Sequence, residues 1–369
     1  MKKQAIVIGA GASGCIAAYL LKSKGFEVEV IERGGEIGGG NRTFFYGGHP
    51  FTFGPHHFLS PFQEAYDFVS KFVKLRDLNQ LLYTYVESDQ EFYHYPIHVD
   101  DIPRMPEHQR IREELANLPT EFQAKNFEEF WIQKVGRSLY DKFIHSYSEK
   151  MWQIPDNQEL DFGFDETVKS TPLKAGDPHV WKDRHNAYPE PIDGYNTMFE
   201  KMLMGCQVTL RSDVSEFDLD KSRVKVGDSW RPYDVLVSTI SPDILHKFSF
   251  GKLRYIGREF HTIVLPCEFA FPKDVHFVYY AGRRERHTRI VEYKKLSNYQ
   301  ASSTLIGVEI PVLDKNPLYP MPVQSQIDLA HKYIDALPSN VHSIGRMGLY
   351  RYVDLDDIVM FCLDHFKNI

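Results

Sequence analysis

The chain opens on an unbroken apolar, largely β-branched run, Ala5 to Ile8, which reads as a strand buried on both faces of a parallel sheet. Apolar positions at helical spacing follow from Cys15 to Leu21, and a second strand runs from Val28 to Ile31 and ends on Glu32. Further on, Ser60 and Pro61 look like a cap and a first-turn proline for a helix reaching about Leu75, with Phe62, Tyr66, Phe68, Val69 and Phe72 on one face. Leu81 to Val86 and Glu91 to Tyr95 alternate as strands do, and Pro106 to Leu118 reads as a charged helix. The strongest helical pattern lies between Asn126 and Trp152. Asn126 is placed to cap it, Phe127, Phe130, Ile132, Val135, Leu139, Tyr140, Phe143 and Ile144 form its stripe, and Gly136 divides it into two helices.

Beyond it, Asn157 to Leu173 reads as loop or strand with little chemistry, and Tyr195 to Leu203 as a helix. Short strands are expected at 208–210, 214–217, 223–226 and 235–239, and a further β region at 260–271, 275–280, 289–293 and 305–310. A helix from Gln324 to Leu337, a strand from Val341 to Ile344 and a last helix capped by Asp354 complete the pattern. The fold class expected is α/β: a Rossmann-like domain from segments 1–62, 189–250 and 335–369, a helical insert over 63–152, and an antiparallel sheet domain from 153–188 and 251–334.

The first loop gives this pattern its chemistry. Gly9, Gly11 and Gly14 form G-x-G-x-x-G directly between strand and helix. Gly9 permits the tight turn, Gly11 the approach of a pyrophosphate, and Gly14 the packing of helix on strand. The helix N-terminus offers free N–H groups to the phosphates, and Glu32 stands where a carboxylate accepts hydrogen bonds from a ribose. Arg33 and a second glycine-rich loop, with Gly39, Gly40 and Asn41, come straight after the acid. This resembles the E-R-x-x-x-I-G-G motif of FAD enzymes of the glutathione-reductase type, so FAD is the expected cofactor. The loop Tyr46 to Ser60, rich in Gly, His and aromatics, is a candidate to lie across the flavin ring, although loop histidines are more often simply structural.

Composition narrows the partners. The formal net charge is −7 in 369 residues, which gives no global footprint for nucleic acid or an anionic membrane, so an anionic substrate would have to be gripped by local arginines. Cys15, Cys206, Cys267 and Cys362 are scattered without metal-binding spacing, and are read as buried reduced thiols with no metal site. No window approaches the length of a bilayer span and the N-terminus reads as a strand and not a signal peptide, so a cytoplasmic, soluble chain is expected.

Eight separate pieces resemble one family, the flavin-dependent UDP-galactopyranose mutases, over nearly the whole chain. They are Gly9 to Gly14 with Glu32, the I-G-G segment at Ile37, FGPHHF at Phe53, GRSLYDKFIHSYSEKMW at Gly136, DRHNAYPEPIDGYNTMFEKML at Asp183, TRIVEYKKL at Thr288, LYP at Leu318 and GRMGLYRYVDLDDI at Gly345. The resemblance implies a redox-neutral ring contraction, in which N5 of reduced FAD attacks the anomeric carbon of a nucleotide-sugar and the pyranose returns as a furanose. It also implies site residues. Arg184 and Arg289 resemble a diphosphate clamp, Tyr319 and Tyr352 resemble phosphate-binding tyrosines, and Phe143 and Tyr147 resemble the pair that holds the uracil. Trp152 resembles a tryptophan beside the sugar, His56 the histidine near the flavin, and Arg346 and Asp354 the C-terminal flavin and sugar contacts. Tyr319, on a Pro-flanked loop, is expected to close over substrate. A homodimer and an external reductant for the flavin also follow from the resemblance alone.

Four positions depart from the family pattern: Leu59 where a second loop histidine is expected, Ile256 where an arginine is, His98 for an asparagine, and Tyr66 for a tryptophan. Arg254 or Arg258 is a candidate substitute for the missing arginine. These departures bear on the sugar and its base, so a mutase for a GDP- or TDP-linked deoxy sugar or heptose is the alternative. A flavin oxidase of the amine-oxidase kind is a third reading, opposed by arginines and tyrosines that an amine would not need.

Overall fold

The computed structural model describes residues 2–163 and 173–369. A parallel sheet lies at its centre, in the order Gln207–Thr209, Glu27–Ile31, Gln4–Ile8, Val235–Ser238, Val341–Ser343. Gln4–Ile8 pairs on both edges, with Ile6 opposite Leu236 on one side and Glu29 on the other, which explains its uninterrupted apolar sequence. One face of the sheet is covered by the helices Ala12–Ser23, Gln63–Ser70, Asn196–Leu203 and Leu355–His365, which share a core that includes Ile16, Phe68, Phe199 and Val359. The other face is covered by a small antiparallel sheet that contributes Val214, Val224 and Val226.

A seven-stranded sheet packs against the histidine-rich loop, where Gly47 meets Val264 and Gly54 nears Arg289. Its order is Pro317–Pro320, Tyr255–Leu265, Thr304–Leu313, Arg289–Glu292, Val275–Tyr280, Leu81–Val86, Glu91–His94. All pairings are antiparallel except that of Val275–Tyr280 with Leu81–Val86. A third small sheet joins Phe58–Ser60, His185–Pro189 and Leu75–Asp77.

The helical region is built from Phe127–Val135, Arg137–Tyr140, a wider helical stretch at Asp141–His145, and Ser146–Trp152. Asn126 caps the first of these by accepting a hydrogen bond from the Glu129 N–H at 2.9 Å, and Gly136, at φ +82°, makes the break.

Three expectations are corrected. The stretch 63–152 is not a purely helical insert, because its alternating strands Leu81–Val86 and Glu91–His94 complete the large sheet, while Gln63–Ser70 packs on the parallel sheet through Phe68 and Val69. That helix begins at Gln63, since Ser60 ends a strand and its hydroxyl accepts from the Phe62 N–H at 3.0 Å. Tyr319 is not on a free loop: it lies in an edge strand, paired with Ile256. Part of the segment read as loop or strand, 164–172, lies outside the described residues. No helix among the described residues is long and apolar enough to cross a membrane.

Candidate active site

The glycine loops fold against one another. A β-carbon on Gly14 would lie 1.9 Å from the Gly9 carbonyl oxygen, and one on Gly9 would lie 2.2 Å from the Thr239 hydroxyl, so both positions demand glycine for packing. Gly11 is different: no atom lies within 4 Å of where its β-carbon would be. That space is a cradle at the helix N-terminus, where backbone alone can meet a phosphate. Glu32 closes its rim, accepting from the Ala10 N–H at 2.7 Å and the Gly34 N–H at 2.6 Å, while Arg33 beside it is exposed. The second loop docks on the first through the Gly38 N–H to the Ala10 carbonyl (2.7 Å), and Gly39 sits directly over Gly11. Gly345, at φ +78°, abuts Ser13, so the later segment with Arg346 meets the first helix at the same cradle. This donor set and this open glycine fit the diphosphate of FAD.

His56 lies next to Gly40. Its Nε2 is 3.0 Å from the Phe53 carbonyl and its Nδ1 is 3.4 Å from the Asn41 amide nitrogen. A carbonyl can only accept, so Nε2 carries the hydrogen and Nδ1 is the lone-pair nitrogen. Burial and the nearby Arg346 push its pKa down to about 4, keeping the ring neutral at pH 7. The neighbouring His57 stacks on Trp181 with ring centres 4.9 Å apart, and burial takes it to about 3.

Across from this loop, one row of side chains crosses the large sheet. Phe260, Glu309, Arg289 and Tyr279 stand opposite one another on adjacent strands. Glu309 is 1% exposed and takes Arg289 side-on, Nε to Oε1 at 2.8 Å and Nη2 to Oε2 at 2.7 Å. Burial works against the Arg289 charge, but Glu309 outweighs it and holds the pKa well above the ordinary value. Two of five guanidinium N–H groups are thereby used by Glu309, and Tyr279 engages the guanidinium as well. Phe277 and Tyr279 back the cation, and Gly54 of the histidine loop approaches its Nη2.

Tyr319 and Tyr352 stack with ring centres 5.6 Å apart and planes 10° apart. Arg346 lies over both, at 5.2 Å and 4.7 Å, and donates to the Val353 carbonyl at 2.8 Å and toward Asp354 at 3.4 Å. Asp354, with burial, raises the Tyr352 pKa, so that phenol stays a donor. Asp354 also caps the last helix in a reciprocal pair with Asp357. Tyr147 reaches Tyr279 edge-on at 5.8 Å, and burial raises its pKa to about 12 despite the fields of Arg289 and Arg258. Trp152 packs beside Tyr319 on a patch formed by Ile154, Leu160, Ile256 and Met321.

The structure thus gathers His56, Tyr147, Trp152, Arg289, Tyr319, Arg346, Tyr352 and Asp354 at one cleft beside the glycine cradle. One sequence candidate, Phe143, lies elsewhere. Phe143 is 7% exposed and fills the interior of the helical region against Tyr93, 5.9 Å away, so packing and not base stacking occupies its ring. Arg184 pairs with the adjacent Asp183 at 2.7 Å, on a segment that meets the histidine loop where Trp181 stacks on His57 and His185 pairs with Ser60. Conversely, Glu309 and Tyr279 were not legible as site residues. The one available signal was a lone acid at an inward position of the apolar run TLIGVEIPVL.

Comparison with known proteins bears on the same residues. The family model described as UDP-galactopyranose mutase matches residues 142–352, and that of an NAD(P)-binding Rossmann-like domain matches 7–72. The chain is 22% identical to a probable UDP-galactopyranose mutase of Klebsiella pneumoniae over 96% of its own length and 91% of that protein's. It is 24% identical to a dTDP-fucopyranose mutase of Escherichia coli, covering 95% and 94%. Its fold resembles a crystal structure of reduced UDP-galactopyranose mutase with a TM-score of 0.81, at 16% identity, covering 99% of this chain and 95% of that one.

Proposed function

Because the chain belongs to the UDP-galactopyranose mutase family, it is an FAD-dependent isomerase acting on nucleotide-sugar rings, and we propose that its substrate pair is UDP-galactopyranose and UDP-galactofuranose. The observation that carries this reading is the Arg289–Glu309 fork set near Tyr319, Tyr352 and Arg346 and against Gly54 of the histidine loop. An amine or a neutral oxidase substrate has no use for such cations, whereas a diphosphate does.

Gly11, Glu32, Gly39, Ser13 and Arg346 would hold FAD, which when bound and reduced supplies the nucleophile for the anomeric carbon. The protein's own work is orientation and charge. Arg289, kept rigid by Glu309, offers its remaining N–H donors to the diphosphate as it departs and again as it returns. Tyr352, its pKa raised by Asp354 and burial, stays a donor, and the Tyr319 ring stacks beside it on the same side. Tyr147 and Tyr279 face the nucleotide end, and Trp152 walls the sugar end. His56 remains neutral and holds its loop against Gly40 and Asn41, so the surface offered to the flavin does not titrate near pH 7. Arg184 joins the diphosphate if its segment closes, trading Asp183 for a phosphate. The working form is a cytoplasmic homodimer that draws electrons from an external reductant.

A second reading keeps the reaction and changes the sugar. Ile256, fully buried, and Leu59, Tyr66 and His98 replace polar or larger groups of the family pattern, and one relative of similar identity is a dTDP-fucopyranose mutase. That reading takes a TDP- or GDP-linked deoxy sugar as the substrate. Anaerobic incubation of dithionite-reduced enzyme with UDP-galactofuranose, dTDP-fucose or GDP-linked sugars, read by chromatography, decides between them. Turnover only with reduced flavin and without net electron consumption is expected. Hydrogen peroxide release from an amine would sink the mutase reading.

A further inference from the structure

One cation at the cleft is left over. Arg258 is 5% exposed, lies on the strand Tyr255–Leu265, and points to the same face as Phe260 in the row that holds Glu309. Its guanidinium carbon sits 4.9 Å from the centre of the Tyr319 ring. The carboxylate that reaches it is Glu309, 3.8 Å from its Nε, and both oxygens of that carboxylate are already taken by Arg289. The Arg258 Nε has no hydrogen-bond partner, one Nη makes a long contact of 3.4 Å to the Gly257 carbonyl, and the other faces the sulfur of Met151. A buried guanidinium held by a thioether and a shared carboxylate is under-neutralised. Around Tyr319, Arg258, Arg289 and Arg346 face Glu309 and Asp354, which leaves a surplus of positive charge. Arg254, the other arginine of this strand region, is exposed and takes no part in the cluster.

We propose that Arg258 is a further diphosphate-binding residue, supplying from beside Tyr319 the second buried guanidinium that grips the substrate's phosphates with Arg289. Two features favour an anion over a purely structural role. The helix Ser146–Trp152 covers Arg258 through Met151 and carries Tyr147 and Trp152 on the same cleft, so Arg258 lies between substrate-facing groups and not in a separate core. Its unpartnered Nε needs an acceptor that the protein does not supply. The inference rests on the reading of the substrate as a nucleoside diphosphate sugar, but not on which sugar it is.

The test compares flavin-loaded wild type, Arg258→Met, Arg258→Lys and the exposed control Arg254→Ala. Perturbation of the flavin spectrum is titrated with UDP, inorganic pyrophosphate and uridine, and with dTDP and thymidine. Arg258→Met is expected to weaken UDP and pyrophosphate by about 10- to 100-fold while leaving uridine within about twofold. Arg258→Lys, which keeps charge but not the fork, should fall between, and Arg254→Ala should match wild type. In turnover, KM should rise with kcat little changed. Equal diphosphate affinity in wild type and Arg258→Met overturns the proposal, and so does a loss shared equally by uridine and UDP. If Arg258→Met does not fold, undiminished UDP affinity in folded Arg258→Lys overturns it as well. Wild type that binds UDP and pyrophosphate but never turns over a sugar would overturn the proposed function and leave this assignment standing.

Discussion

Arg289 and Glu309 stand directly opposite each other on adjacent antiparallel strands and meet through two parallel hydrogen bonds of 2.8 and 2.7 Å. A pair made this way fixes the guanidinium in one plane before any substrate arrives. Glu309→Gln keeps the shape and removes the charge. It is expected to lower kcat/KM by about 10- to 100-fold, or about 1.4–2.8 kcal/mol of transition-state stabilisation. Steady-state kinetics of the reduced enzyme checks this. Arg289→Lys, with Glu309 intact, should lower kcat/KM as well, because a point charge cannot occupy both carboxylate oxygens.

The two inner glycines of the first loop should fail differently. Gly14→Ala drives a methyl into the Gly9 carbonyl and is expected to destabilise even the flavin-free protein by about 1–3 kcal/mol. Gly11→Ala meets no protein atom, so the flavin-free melting curve should match wild type. Its methyl fills the cradle instead, and FAD affinity is expected to drop by about tenfold or more. Thermal melting of both apo variants, followed by FAD titration, separates the outcomes.

Acid should unfold the protein through its histidines. Burial lowers His56, His276 and His342 to about 4 and His57 to about 3, each below the ordinary value of about 6.5. Between those values the unfolded chain binds protons that the native state does not, so stability rises with pH in that window and is lost as pH falls through it. Each such group contributes a slope of at most about 1.4 kcal/mol per pH unit. Melting temperature is expected to decline from pH 6.5 toward pH 4, and His276→Gln should flatten that decline.

Phe143 and Tyr147, one helical turn apart, should report opposite properties. Phe143→Ala removes a ring from a closed core and is expected to cost about 3–5 kcal/mol of stability, with UDP affinity unchanged where the variant is folded. Tyr147→Phe keeps the edge contact with Tyr279 and loses a hydroxyl near Arg289, so its melting should hold while nucleotide affinity falls about two- to tenfold. Denaturation and nucleotide titration of both variants make the comparison.

That contrast also marks how far the sequence could be read. The cofactor cradle was legible because strand, glycine loop, helix and Glu32 are contiguous, and each glycine answers a local demand. The stripe from Phe127 to Ile144 was legible as a helix, but not the direction each residue faces. The helix widens at Asp141–His145, which shifts the register so that Phe143 turns inward while Tyr147 meets the sheet. Glu309 was legible only as a lone acid in an apolar run, because its role comes from a strand pairing twenty residues away that no local pattern encodes. Tyr319 was expected on a closing loop from its flanking prolines, yet those prolines suit an edge strand equally well, and there it pairs with Ile256.

The strand order of the parallel sheet has a consequence for how the enzyme is made. Gln4–Ile8 leaves the ribosome well before Val235–Ser238, with which it pairs, and that strand pairs in turn with the still later Val341–Ser343. At typical elongation rates of about 5–20 residues per second, the finished glycine loop waits roughly 15–70 seconds for the edge strand that completes its sheet. A chain truncated before residue 343 would therefore carry the whole nucleotide fingerprint and no completed sheet to present it.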